Sequence, residues 1–98
     1  MILVTGGFVA REGCLPEALR LSIEHTRRSR LENGCLSHAV HHDAEHPSRL
    51  VFFEQWSDRA ALTAHFAVPA SREFVKAIAK LAVGAPELSV FEATPVTL

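Results

Sequence analysis

Imidazole is the side chain that changes charge nearest neutral pH, so the six histidines of this 98-residue chain are its first candidates for chemistry. Four of them crowd into HAVHHDAEH, from His38 to His46, a density that raises the question of a metal centre. Spacing argues against one, because zinc needs ligands that converge on a point. On a strand, His38 and His42 share a face but stand about 13 Å apart at the usual rise per residue, and His41 points the other way. His46 falls in a turn, and neither Cys14 nor Cys35 has a spacing that completes a zinc site. No metal is expected, and His41, His42 and His46 read as solvated residues at a hairpin end. His38 differs, because Leu36 and Val40 flank it on a face that should look inward. His65 rides with Ala61, Leu62 and Phe66 on the apolar side of a helix. For both, a packed core histidine and a cavity residue are open readings. His25 lies off the apolar stripe of its helix and reads as a surface or edge residue.

Glu54, Trp56 and Phe52 alternate onto one face of the strand RLVFFEQW. A carboxylate on an apolar face is costly unless paired, so Glu54 is either bonded to a group on a helix or raised in pKa. Trp56 is most simply a core anchor whose indole N–H needs an acceptor.

The elements that must position these residues follow from periodicity and punctuation. MILVTGGFVA is an apolar strand interrupted by Gly6 and Gly7, which mark a bulge or a close backbone contact. Pro16–Glu17 opens a helix with Leu15, Leu19, Ile23 and Thr26 on one stripe, and Asn33–Gly34 stops it. Arg27, Arg28 and Arg30 read as its solvated cationic end. From Cys35 the period becomes two: Leu36, His38, Val40 and His42 share one face, and Cys35, Ser37, Ala39 and His41 the other. DAEHPS reads as a turn in which Pro47 ends regular pairing, and RLVFFEQW returns antiparallel. Ser57 can cap the helix DRAALTAHF; Pro69 breaks it, and Ser71 restarts it as SREFVKAIAKLA, with Phe74, Ile78 and Leu81 on a stripe. Gly84 to Pro86 closes that segment, and ELSVFEA is the last strand. The order strand, helix, strand, strand, helix, strand predicts one α+β domain over residues 1–98, a ferredoxin-like antiparallel sheet with helices on one face. The bare sheet face would carry Cys35, Ala39, Val51 and Phe53, an apolar patch that predicts a face-to-face homodimer.

Hydrophobic residues make up 48 % of the chain, its formal charge is −1, and no Lys/Arg patch recurs along one face. Nucleic acid and membrane surfaces are therefore not expected partners. MILVTGGF lacks the basic segment of a signal peptide, and no apolar run approaches a membrane span. Two cysteines make no disulfide framework, and a reducing, cytoplasmic setting is expected.

SRLENGCLSHAVHHD followed by RLVFFEQWSDRAALTAHFAVP resembles the antibiotic biosynthesis monooxygenase (ABM) domain, of the dimeric α+β barrel superfamily. The shared features are Ser29, Glu32, Gly34 and Cys35 entering the second strand, an aromatic-rich third strand ending in Glu54-x-Trp56, and Ala64–His65 before Pro69. The resemblance, with its order of elements, covers nearly the whole chain. The resemblance implies a monooxygenase that oxidises a small aromatic, polyketide or quinol-like substrate with dioxygen, without flavin, haem or metal cofactor. The substrate would supply the electrons once deprotonated, so the protein needs an apolar cavity, a base of near-neutral pKa and a donor that steadies the peroxide. The catalytic candidates are His65, His38 and Glu54, with Trp56, Phe52, Leu62 and Phe66 as the substrate-binding wall. The family often has a tyrosine where His38 stands, and a histidine–aromatic pair where this chain has Ala70–Ser71, so substrate choice is open. A haem-degrading branch uses an asparagine, a tryptophan and a ligating histidine at positions held here by Gly6 or Gly7, His65 and Phe74, so that route is not expected. Two other functions are compatible with the sequence: an isomerase of a small phosphorylated signal molecule, with Lys76 and Lys80 as its only helical cation pair, and a non-catalytic small-ligand-binding dimer.

Overall fold

A computed structural model describes residues 1–98. The elements are β1 (Ile2–Ala10), α1 (Leu15–Ser29), β2 (Cys35–Asp43), β3 (His46–Trp56), α2 (Arg59–Ala67), α3 (Pro69–Leu81) and β4 (Ala82–Glu92). The strands form one antiparallel sheet in the order β2-β3-β1-β4, the ferredoxin-like arrangement. Two core clusters lie between this sheet and the helices. Phe8, Ala10, Ala18, Leu50, Ile78 and Ala82 form one, and Ile2, Val4, Trp56 and Leu62 the other. Strand alternation places Val4, Leu50, Phe52, Glu54 and Trp56 under the helices and leaves Thr5, Val51, Phe53 and Gln55 on the opposite face. Trp56 is fully buried. Removing roughly 200 Å² of indole surface from water contributes about 5 kcal/mol, which makes this ring the anchor of the second cluster. None of the helices is long and apolar enough to cross a membrane.

The structure departs from the sequence expectations at several punctuation points, each for a local reason. Asp58, not Ser57, caps α2, because its Oδ1 accepts from the Ala61 amide at 2.8 Å. α3 begins at Pro69 itself, which suits a first helical position, so no gap separates Pro69 from Ser71. The β2–β3 turn is only Ala44–Glu45, with Asp43 paired to His46 and its Oδ1 accepting from the Glu45 amide at 2.9 Å. Pro47 does not end pairing; it lies in an irregularity where β3 bows away from β2. Gly84, Ala85 and Pro86 likewise form no boundary. They bulge within β4, between the pairs Val9–Val83 and Gly7–Glu87.

The bulge with the largest consequence is at Leu36. Cys35 pairs with Trp56 and Ser37 with Gln55, so Leu36 is an extra residue. It is 57 % exposed rather than facing inward. The same slip turns Cys35 away from the bare face and packs it against the Trp56 cluster. Ala39, Val51 and Phe53 remain on the face that no helix covers. Gly34, at φ +85°, turns the chain into this strand, and a Cβ there would meet the Ala61 Cβ at 2.5 Å, so β2 and α2 close on each other only over a glycine.

Candidate active site

Three helix and strand positions bring three imidazoles together. Ala18, Ser22, His25 and Ser29 form the buried stripe of α1, and His25 is only 5 % exposed. Apolar periodicity missed this stripe because three of its four residues are serine or histidine; the leucine stripe lies beside it, partly buried. The expectation that His25 sits at a surface or edge is therefore corrected. β2 carries His38, and Leu62 anchors α2 in the Trp56 cluster, with His65 buried three residues on. Ring centroids stand 5.3 Å apart for His25–His38 and His25–His65, and 5.7 Å for His38–His65.

Each ring has its own partner. Arg28 approaches His25 Nδ1 at 2.7 Å, and Phe74 stacks on the His25 ring at 4.0 Å and 3°. Burial above all, then the neighbouring charges of His38, His65 and Arg28, pull the His25 pKa down to about 3. Glu32 holds His65 Nδ1 with both carboxylate oxygens, at 3.0 and 3.1 Å. His38 is sealed beneath the other two, and neither of its ring nitrogens has an aligned hydrogen bond. Its Nε2 lies 3.3 Å from Glu54 Oε1, near enough for charge attraction. That oxygen also accepts from Trp56 Nε1 at 3.0 Å. Burial raises the Glu54 pKa, but His38 and the indole N–H outweigh it and leave the carboxyl below its ordinary value. So Glu54 finds its partners in the sheet, not on a helix, and is not raised. Burial, with the Glu54 and Glu32 charges, pushes the Cys35 thiol up, away from reactive thiolate.

The arginines at the end of α1 are not all solvated, contrary to expectation. Arg28 is half-buried on His25, and Arg30 Nε donates to the His38 carbonyl at 2.9 Å, tying α1 to β2 beside the triad.

In front of the triad opens a cavity of about 620 Å³, between α3 and the β1–β4 half of the sheet. Its wall is mainly apolar, with Phe8, Phe52, Phe66, Phe74 and Leu88, and its polar points include His25, His65, Glu54, Ser71 and Glu87. Gly6 floors it; a Cβ there would meet the Glu87 carbonyl at 2.9 Å. Arg72 and Lys76 stand on the α3 side.

The profile of the antibiotic biosynthesis monooxygenase family matches residues 1–77. The chain belongs to that family. A candidate antibiotic biosynthesis monooxygenase from Deinococcus radiodurans superposes with a TM-score of 0.94 at 23 % identity, covering 100 % of this chain and 97 % of that one. A Mycobacterium tuberculosis protein superposes at 0.90 with 22 % identity over 99 % and 98 % of the two chains. Another antibiotic biosynthesis monooxygenase is 27 % identical over 97 % of this chain and 100 % of its own, with a TM-score of 0.89. An uncharacterised protein from Synechocystis sp. is 32 % identical over 93 % of this chain; the chain spans 62 % of that relative's length.

Of the ABM site residues expected from the sequence, Phe52, Glu54, His65 and Phe66 line the cavity. His38 and Trp56 do not; they lie one layer behind, fully enclosed. Leu62 faces the Trp56 cluster instead, because the α2 turn that aims His65 at the cavity aims Leu62 at Val4 and Ile2. HAVHHDAEH contributes only His38, and His41, His42 and His46 are exposed. The expected lack of convergence fails nonetheless, since one ring nitrogen each from His25, His38 and His65 lie within 4.8 Å of one another. His65 has the carboxylate partner that ligating histidines carry. His25 has a guanidinium, which offers only donors, fixes the ring proton on the nitrogen left for a metal and adds positive charge beside it. The triad suits proton handling better than metal binding.

Proposed function

We propose that the protein is a cofactor-independent monooxygenase that oxidises a small aromatic, polyketide or quinol-like substrate with dioxygen. The observation that carries this is His65, an imidazole whose orientation Glu32 fixes and which opens on a largely apolar cavity of the size that takes such a ligand. His65 Nε2 removes the phenol or enol proton. The anion gives one electron to dioxygen, and the substrate radical and superoxide combine to a carbon-bound hydroperoxide. Loss of water from that peroxide leaves a carbonyl, so CH₂ and O₂ become C=O and H₂O. The proton held on His65 leaves with the water. Glu54 and His38 serve as an enclosed polar pair behind the base, and Phe52 and Phe66 as the wall for the ring.

The same reading takes residues 1–98 as one domain in a cytoplasmic homodimer, joined through the sheet face of Ala39, Val51 and Phe53. Oxygen-electrode assays with a panel of hydroquinones and anthrones test it. The His65→Ala variant should lose roughly two to four orders of magnitude in turnover, the scale of a lost general base, with an unchanged circular dichroism spectrum. No oxygen uptake above the spontaneous rate with any of the panel would overturn the assignment. Arg72 and Lys76 favour one second reading, isomerisation of a small phosphorylated signal molecule, although Lys80 is not part of the wall. Phosphate esters that raise the melting temperature more than quinols do would favour it. Quinol binding without turnover would identify a non-catalytic binding dimer.

A further inference from the structure

Two imidazoles of the cavity wall are held in opposite hydrogen-bonding roles. Arg28 can only donate, so His25 Nδ1 accepts, and the proton of the neutral ring sits on Nε2. A carboxylate only accepts, so His65 Nδ1 carries a proton toward Glu32, and the neutral ring keeps its lone pair on Nε2. Both rings line the cavity, and neither Nε2 has a protein partner or is sealed from solvent, unlike both nitrogens of His38. Burial and the facing charges of Arg28 from α1, His38 from β2 and His65 from α2 keep His25 neutral through the physiological range. Phe74 from α3 stacks on the ring and fixes its plane. The wall therefore presents an N–H beside a lone pair, on rings whose centroids are 5.3 Å apart.

We propose that His25 is the hydrogen-bond donor to the substrate, and that with His65 it selects substrates bearing a hydroxyl and a second oxygen side by side, on adjacent or alternate carbons. Catechols, 2-hydroxyquinones and enolised 1,3-dicarbonyls present such a pair, its oxygens a hydrogen-bond length apart. The hydroxyl gives its proton to His65 Nε2, and the second oxygen accepts from His25 Nε2–H. As the hydroxyl of a dicarbonyl substrate ionises, charge spreads to its second oxygen, where a preset neutral donor stabilises it. A para-hydroquinone has its oxygens at opposite ends of the ring and meets only one of the two imidazoles. Arg28 and Glu32 are positioning residues: they touch no substrate and set which nitrogen of each ring holds the proton. This rests on the same site as the monooxygenase reading, but it concerns binding and tautomers, and its test needs no turnover.

Long-range ¹H–¹⁵N spectra of the labelled full chain read the tautomers directly. His25 should be the Nε2–H form at pH 7 and should not titrate down to pH 5, and neutral His65 should be the Nδ1–H form. An Nδ1–H tautomer at His25 in the wild type overturns the proposal. Arg28→Met should let His25 populate both tautomers; an unchanged spectrum there removes Arg28 from its positioning role and overturns that part. Absorbance titration then compares 4-nitrocatechol, which has the oxygen pair, with 4-nitrophenol, which has one oxygen. The wild type should bind the catechol roughly tenfold more tightly, the scale of one neutral hydrogen bond. His25→Phe should lose that preference while holding nitrophenol, and His25→Gln, which keeps an N–H, should restore part of it. Equal affinities in the wild type, or no binding of 4-nitrocatechol, overturn the proposal. Retained preference without oxygen uptake leaves the grip standing and removes the monooxygenase reading alone.

Discussion

Replacing His25 by glutamine should flatten the acid limb of the stability profile. In the unfolded chain this imidazole titrates near 6.5, and in the fold at about 3. The folded value is the lower one, so on acidification the unfolded state takes the proton first. The contribution of His25 to stability is whole above pH 6.5 and is lost as pH falls toward 3. Between pH 7.5 and pH 5, proton binding to the unfolded state changes the folding equilibrium by about 1.5 decades, or about 2 kcal/mol, and by about 4 kcal/mol at pH 3. Glutamine cannot titrate, and its carbonyl can still accept from Arg28. Urea unfolding at one protein concentration, at pH 7.5 and 5.0, gives the comparison. Wild type should lose about 2 kcal/mol more than His25→Gln across that interval. Equal losses, or a larger loss in the variant, would refute the claim that a neutral His25 is locked into the fold.

Gly34→Ala forces a side chain into φ +85° with its Cβ 2.5 Å from the Ala61 Cβ, so it should cost about 2–4 kcal/mol in urea unfolding; a change below 1 kcal/mol would mean that α2 yields freely. Trp56→Phe strips Glu54 Oε1 of its indole donor in a buried site and should cost about 1–3 kcal/mol beyond lost packing, checked against Trp56→Phe in a Glu54→Gln background, where the extra cost should shrink. Phe53→Lys puts a charge on the apolar face opposite the helices, where Phe53 is 42 % exposed, and should shift sedimentation from dimer toward monomer; a wild type that is already monomeric at micromolar concentration would remove that interface.

The order of elements was legible because β1, β3 and α3 announce themselves by period: apart from Glu54 and Ser71, their inward residues are apolar or glycine at spacings of two or of three and four. What was not legible lies where the period slips. Nothing in CLSHAVHHD marks Leu36 as an extra residue, because an alternating strand reads equally well in either phase until its partner fixes the register. Trp56 opposite Cys35 is that fix, and it is information held at the far end of β3, 21 residues along the chain from Cys35. The cap at Asp58 and the short turn after Asp43 were missed for a related reason. Several polar residues in a row can each accept from the backbone, and geometry alone chooses among them.

The site was half legible for a different reason. His38 and His65 announce themselves by sitting among apolar neighbours, whereas His25 sits among serines, on a face whose leucines belong to the adjacent stripe. A hydrophobic count assigns such a face to solvent. The signal that does find it is the run Ser22, His25, Thr26, Ser29 read as small and polar rather than as charged: α1 keeps its glutamates, Arg20 and Arg27 off that face and leaves it room to approach the sheet. Close approach is what brings an imidazole from α1 within 5.3 Å of one from β2. It also accounts for Arg28, whose guanidinium reads as helix-end charge in one dimension. Three residues after His25, one helical turn along the same side, it is the nearest donor to that ring and fixes its proton. A helix face that is small, polar and uncharged is thus better evidence for a built site in this fold than the density of histidines in HAVHHDAEH, three of whose four imidazoles face water.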